Sequence, residues 1–203
     1  MNPRALDRLA TIVLWVAALT IIAILIWFLG FILGRGLPYL NKSFFVGTDG
    51  VGAQLFNSFY ILFLSLVFSL PVGIGAGIYL AEYAPSNKLT DLIRLSTESL
   101  ATVPSIVFGL FGMIVFVNMS GLGFTILGGS ATLALLNLPI LVRVTEESLR
   151  AVPESYREAS LALGATMWQT LRKVILPTAL PGLITGITLV AGRALGETAI
   201  LIF

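Results

Sequence analysis

The 203-residue sequence predicts an all-α integral membrane protein, a polytopic helical bundle, on three observations. Apolar residues make up 57% of the chain and charged residues only 11%, against about 25% charged in a typical soluble protein, so too little charge is present to cover a water-facing surface. Uncharged stretches recur at bilayer-crossing length. None of them, Ile12 to Leu33 being the clearest, alternates apolar and polar residues over about ten positions as a strand of a membrane barrel would. A helix satisfies its backbone polar groups internally and is therefore the element such a sequence forms in hydrocarbon. Cysteine and histidine are both absent. That excludes disulfides, zinc sites, thiol nucleophiles and histidine acid–base chemistry, and no metal site is expected.

The charges mark the spans. Uncharged runs separate Arg8 from Arg35, Asp49 from Glu82, Glu98 from Arg143 and Lys173 from Arg193, and about 20 residues cross a bilayer as a helix. The run from Glu98 to Arg143 is too long for one crossing. It is divided at Asn118-Met-Ser-Gly-Leu-Gly and Gly128-Gly129-Ser130, where glycines and small polar residues favour a turn. Five spans result: Leu9 to Leu33, Phe56 to Leu80, Leu100 to Val117, Ala131 to Leu149, and Leu176 to the end. Arg4 and Arg8 precede the first as they would in a secretory signal, but its apolar run is about twice the length of a signal core and lacks an Ala-x-Ala exit. It reads as a retained helix. Residues 1–50 form an N-terminal span with its external loop, and residues 51–203 form the core.

Orientation follows from Lys and Arg in the connections, because positively charged short loops resist translocation. Arg4, Arg8, Lys88, Arg94, Arg143, Arg150, Arg157, Arg172 and Lys173 fall on one side, and only Arg35 and Lys42 on the other. The N-terminus is therefore expected to be cytoplasmic, in a multi-pass protein of the cell membrane.

From Arg143 to Lys173 the sequence leaves the membrane for about thirty residues, long for a connection between packed helices. Pro153-Glu154 reads as a helix start and Gly164 as its left-handed end. Thr166 and Gln169 have capping-box spacing for a second helix, and Pro177 opens the fifth span. The charges Glu146, Glu147, Arg150, Glu154 and Arg157 read as a mostly solvated face. Gly73 and Gly77, like Gly182 and Gly186, sit four apart and read as points of close helix approach. Pro71, Pro104 and Pro139 interrupt spans as kinks.

Glu158-Ala159-Ser160, three residues, Gly164, nine residues and Val174-Ile175-Leu176-Pro177 resemble the EAA loop of ABC importer permeases, with Ser160 in place of the second alanine and Val174 in place of an isoleucine. In that family the loop, here 150–177, docks in a cleft of the cytoplasmic ATPase. Ile78-Tyr79-Leu80-Ala81-Glu82-Tyr83-Ala84, Val103-Pro104-Ser105 through Gly112, and Gly192-Arg193-Ala194-Leu195-Gly196-Glu197-Thr198-Ala199 narrow the resemblance to the permeases of phosphate-specific importers, most closely the A-type subunit. The resemblance implies the bundle of type I ABC importer permeases, with a sixth span expected to be missing here. It implies as partners a second homologous permease, a nucleotide-binding ATPase dimer and an external phosphate-binding protein, in a lipid bilayer and without nucleic acid. ATP and magnesium would sit on the ATPase, so the chain is a transport subunit that holds no cofactor.

Arg193 and Glu197 are an opposite pair in the body of the last span, four apart and on one helical face. Each is expensive in hydrocarbon unless paired, so they are expected to face the bundle interior. One reading is a substrate pathway in which Arg193 offers a planar fork to an oxyanion. The other is a buried pair that fixes packing, with Gly192 and Gly196 allowing close approach. Alternatives for the whole chain are a permease for another oxyanion, such as molybdate, sulfate or phosphonate, or a channel-like protein not driven by ATP. An intramembrane hydrolase is disfavoured by the absence of His and Cys.

Overall fold

The computed structural model describes residues 3–46, 50–121, 123–197 and 199–201. Asp49, Leu122, Thr198 and the last two positions, each part of a sequence reading above, lie outside them. Every regular element among the described residues is helical. The chain divides into two compact units, Met1–Leu55 and Phe56–Phe203.

In the first unit, helix α1 (Pro3–Gly36) is apolar on every face, and its side chains from Asp7 to Arg35 are exposed all round, as suits a surface that meets lipid tails. Near its end the Arg35 guanidinium lies 5.9 Å from the centroid of the Phe31 ring, which stacks on Trp27. Such aromatic and basic groups anchor a helix at the membrane–water boundary. The short helix α2 (Lys42–Val46) starts at Asn41, whose Oδ1 accepts from the Phe44 N–H at 2.9 Å.

The second unit begins inside α3 (Gly52–Ile78), which ends in a π-helical turn, Tyr79–Tyr83. Then come α4 (Lys88–Ala101), capped by the Asn87 side chain, and α5 (Ser105–Gly112), extended by the π-helical segment Met113–Met119. Helix α6 (Ile126–Arg150) is capped by Thr125, α7 (Glu154–Ala162) follows, and α8 (Met167–Thr170) runs through a π turn, Leu171–Ile175, into α9 (Leu176–Gly196).

Four of the helical stretches are long and apolar enough to cross a membrane, and a fifth crossing exists if α4 and α5 are taken as one broken span bent by 97°. The crossing expected over Leu100 to Val117 is thus corrected. The helix breaks at Thr102–Pro104 because proline brings no N–H and excludes helical backbone from Val103. What continues is Ser105–Met119, about 22 Å at 1.5 Å per residue. Gly128-Gly129-Ser130 is also corrected, from turn to first turns of α6, since the Thr125 hydroxyl accepts from Gly128 N–H at 3.2 Å and starts the helix there. The last span, expected from Leu176, is one continuous helix from Met167, so the second short helix is that span's own first part. The π turn upstream of Pro177 accommodates it, with Leu176 N–H reaching back five residues to the Leu171 carbonyl.

Helix α6 is the centre. Ser65, Ser69, Gly73 and Gly77 form a buried stripe on α3, and a Cβ at Gly73 would meet Leu141 while one at Gly77 would meet Thr145. Equal steps along both helices make them parallel. On an adjoining face of α6 Gly182 meets Ser148 and Gly186 meets Val144, so α9 runs antiparallel and the same stepping brings Ala194 to Leu136, with which it shares an apolar cluster. Small residues let both neighbours approach to van der Waals contact, the main source of helix cohesion in lipid.

Candidate functional site

The helix pair of α7 and α8 is built by its end groups. Helix α7 closes in a Schellman motif: the Ala165 N–H donates to the Ser160 carbonyl at 3.2 Å and the Gly164 N–H to the Leu161 carbonyl at 2.9 Å. That motif needs left-handed backbone, and Gly164 has φ of +81°. Two residues on, α8 starts with a reciprocal capping box in which Gln169 Oε1 accepts from Thr166 N–H and Thr166 Oγ1 from Gln169 N–H. The buried hydroxyls of Ser160 and Thr170 then join the two helices at 2.9 Å. Ser160 is thus a bonding residue here, a contact no alanine could make.

Beneath the turn, Ile175 and Leu171 are buried with Leu149, Val152, Ala179 and Leu183, and Val174, Leu176, Ile78 and Ala81 pack against them. The hydrophobic motif positions at 174 and 176 therefore bind the loop to the feet of α3 and α6. Glu158, Ala159 and Pro177 are exposed, as are Leu163 at 89% and Trp168 at 60%. The surface left open at the glycine turn is apolar at its tip and acidic at Glu158.

Not all of the charges expected on a solvated face are solvated. Arg157 is 13% exposed and faces Glu82, 6% exposed, with Nη2 2.7 Å from Oε1. It also donates to the Leu149 and Val152 carbonyls, each at 2.9 Å, and to Glu154 at 3.3 Å. The hydrogen bond to Glu82 raises the Arg157 pKa above its ordinary value against the opposing effect of burial. Glu146 is likewise enclosed, held by Arg94 at 2.7 Å and Arg150 at 3.0 Å, while Arg94 also donates to the Leu80 carbonyl. Glu82, Arg94 and Arg157 are site residues that sequence reasoning missed. Their only early signal was the position of Glu82 at the end of a long uncharged run.

At the other end of α9, Arg193 Nε lies 3.5 Å from Glu197 Oε1, with side chains 38% and 15% exposed. Glu197 is not inside the helix as the spacing implied but is its cap, with extended backbone after Gly196. Nothing among the described residues approaches the Cβ position of Gly192 or Gly196, so the close packing their spacing suggested is not made by those residues. Val190 and Ala194 are buried on the face toward α6; Arg193 lies to the side of it, at the level of Asn137.

Apolar spans of bilayer length, packed through small residues around α6, with a two-helix knob, Glu154–Thr170, leading into the last span, define an integral membrane permease. The chain belongs to the family of binding-protein-dependent transport system inner membrane components, whose pattern matches residues 73–203. The probable ABC transporter permease protein YqgI of Bacillus subtilis (strain 168) is 45% identical over 210 aligned positions, covering all of this chain and 71% of that protein. The phosphate transport system permease protein PstA of Xylella fastidiosa (strain 9a5c) is 36% identical over 179 positions, 85% of this chain and 62% of that one. Among solved structures, an inward-facing conformation of the MetNI methionine ABC transporter superposes with a TM-score of 0.65 at 27% identity, covering 71% of this chain and 69% of the matched one. The fold is that of type I ABC importer permeases.

Proposed function

We propose that the chain forms one half of a pathway for inorganic phosphate through the cytoplasmic membrane, driven by ATP hydrolysis on a separate subunit. The observation that carries this reading is the helix pair Glu154–Thr170. Its geometry is fixed by a Schellman turn, a capping box and the Ser160–Thr170 bond, yet its tip exposes Leu163 and Trp168. Rigid apolar surface on the cytoplasmic side fits a docking element, and the ATPase is its partner; Glu158, Ala159, Ser160, Gly164, Val174, Leu176 and Pro177 are its defining residues. ATP and magnesium bind that subunit, and this chain takes no cofactor. A second homologous permease completes the pathway and an external binding protein delivers the anion. The phosphate assignment is supported by the relatives named as phosphate permeases and by Arg193, whose planar fork suits a tetrahedral oxyanion, with Glu197 moderating its hold.

The test is ATP hydrolysis and uptake by the assembled complex in proteoliposomes with its binding protein. Phosphate is expected to stimulate both, and sulfate, molybdate and phosphonate neither. Stimulation by another oxyanion would reassign the substrate, and uptake without the ATPase would overturn the reading.

A further inference from the structure

Arg157 gathers oxygens from three elements. Glu82 belongs to the π turn that ends the second span, the Leu149 carbonyl to the last turn of α6 and the Val152 carbonyl to the connection just after it, and Glu154 opens α7, the helix on which Arg157 itself stands. The Glu82 contact is two-toothed, Nη2 to Oε1 at 2.7 Å and Nε to Oε2 at 3.3 Å. Both side chains are nearly enclosed. The apolar cluster of Leu149, Val152, Leu171 and Ile175 packs against Ile78 and Ala81 of the same foot, so the ion pair closes a joint whose other side is hydrocarbon. Five donors in a fixed planar fork are what such a site needs. A lysine could meet the carboxylate or the carbonyls but not this set together.

We infer that Arg157 and Glu82 are positioning residues that lock the docking helix α7 to the foot of the second span, so that a displacement of α7 moves both as one body. This inference rests on the proposed docking role of the helix pair and adds the route by which its motion enters the membrane. The pair makes no contact with nucleotide or substrate; its effect is on how much transport each hydrolysis event yields.

The chain has no native cysteine, so spin labels can be placed at Ser155→Cys on α7 and Tyr83→Cys on the foot, in the full complex made with cysteine-free partners. In the parent, the distance distribution between them is expected to stay unchanged when ATP binds, while a label at Ser155 shifts relative to one on the ATPase. In the double variant Arg157→Met with Glu82→Gln, which leaves no unpaired buried charge, the distribution is expected to broaden. Uptake per ATP hydrolysed is expected to fall at least fivefold, with ATPase still bound. Arg157→Lys should give an intermediate ratio and serves as the readout if the double variant does not assemble. A parental ratio in either variant, or a nucleotide-dependent change in the Ser155–Tyr83 distance of the parent, overturns the inference. Failure of the docking role itself would look different: the Ser155 label would then be indifferent to the ATPase in every variant.

Discussion

Replacing Gly164 with valine tests how the helix pair is held. The residue sits at φ +81°, where an L-residue with a Cβ loses about 1–2 kcal/mol and a β-branched one is a genuine outlier. No atom of the described residues lies within 4 Å of where that Cβ would be, so the effect comes from backbone strain and from weakening the two Schellman bonds. About 1–2 kcal/mol lowers the ratio of closed to open turn by a factor of roughly 5–30. The spans lie outside the turn and should insert normally. Asparagine tolerates left-handed backbone, so Gly164→Asn should stay close to the parent. The assay is the amount of ATPase co-purified per inserted permease, followed by uptake. A parental Gly164→Val would refute the argument. So would Gly164→Asn failing as badly as valine, because the limit would then be room rather than φ.

Gly186→Val, where a Cβ would overlap Val144, should separate α9 from α6 and reduce stability by about 1–3 kcal/mol, read as a lower melting temperature in detergent. Asn137→Leu should raise that temperature, because the buried amide has no hydrogen-bond partner among the described residues on either atom and burying an unsatisfied group costs about 1–3 kcal/mol. Impermeant thiol labelling in intact cells should modify Ser43→Cys and spare Ser155→Cys; the reverse pattern contradicts the charge-based orientation. Arg193→Leu combined with Glu197→Gln should assemble and fail in phosphate uptake, with Arg193→Lys also impaired, whereas parental uptake in the double variant would leave the pair as packing alone.

The spans were legible because unpaired charge is so costly in hydrocarbon that gaps between charges report directly on membrane crossings. Gly164, Thr166 and Gln169 were legible for a different reason: end motifs are local, and their residue types and spacings follow from which backbone groups a helix leaves unpaired. Helix α4 is hidden in the sequence although its residues are amphipathic, because the uncharged run begins within it and Pro104 has the same signature whether it kinks a span or ends a helix. The three π turns have no sequence signature of their own. Arg157 and Glu82 are 75 residues apart, and only the fold brings them together; read singly, Arg157 belongs to a solvated face and Glu82 marks the end of a span. Ser160 in place of a motif alanine has its reason in Thr170, which the structure places opposite it.

The central claim is that the turn at Gly164 is the point at which an ATPase grips this permease, and Leu163 is the residue to ask. It is the most exposed large apolar side chain among the described residues. A Leu163→Cys permease in membranes containing the whole importer, treated with a short thiol cross-linker, should join to the nucleotide-binding subunit in a yield that changes with ATP, while Ser43→Cys should not. Cross-linking of Leu163→Cys to the external binding protein, or none to the ATPase in a complex that still transports, would contradict the account.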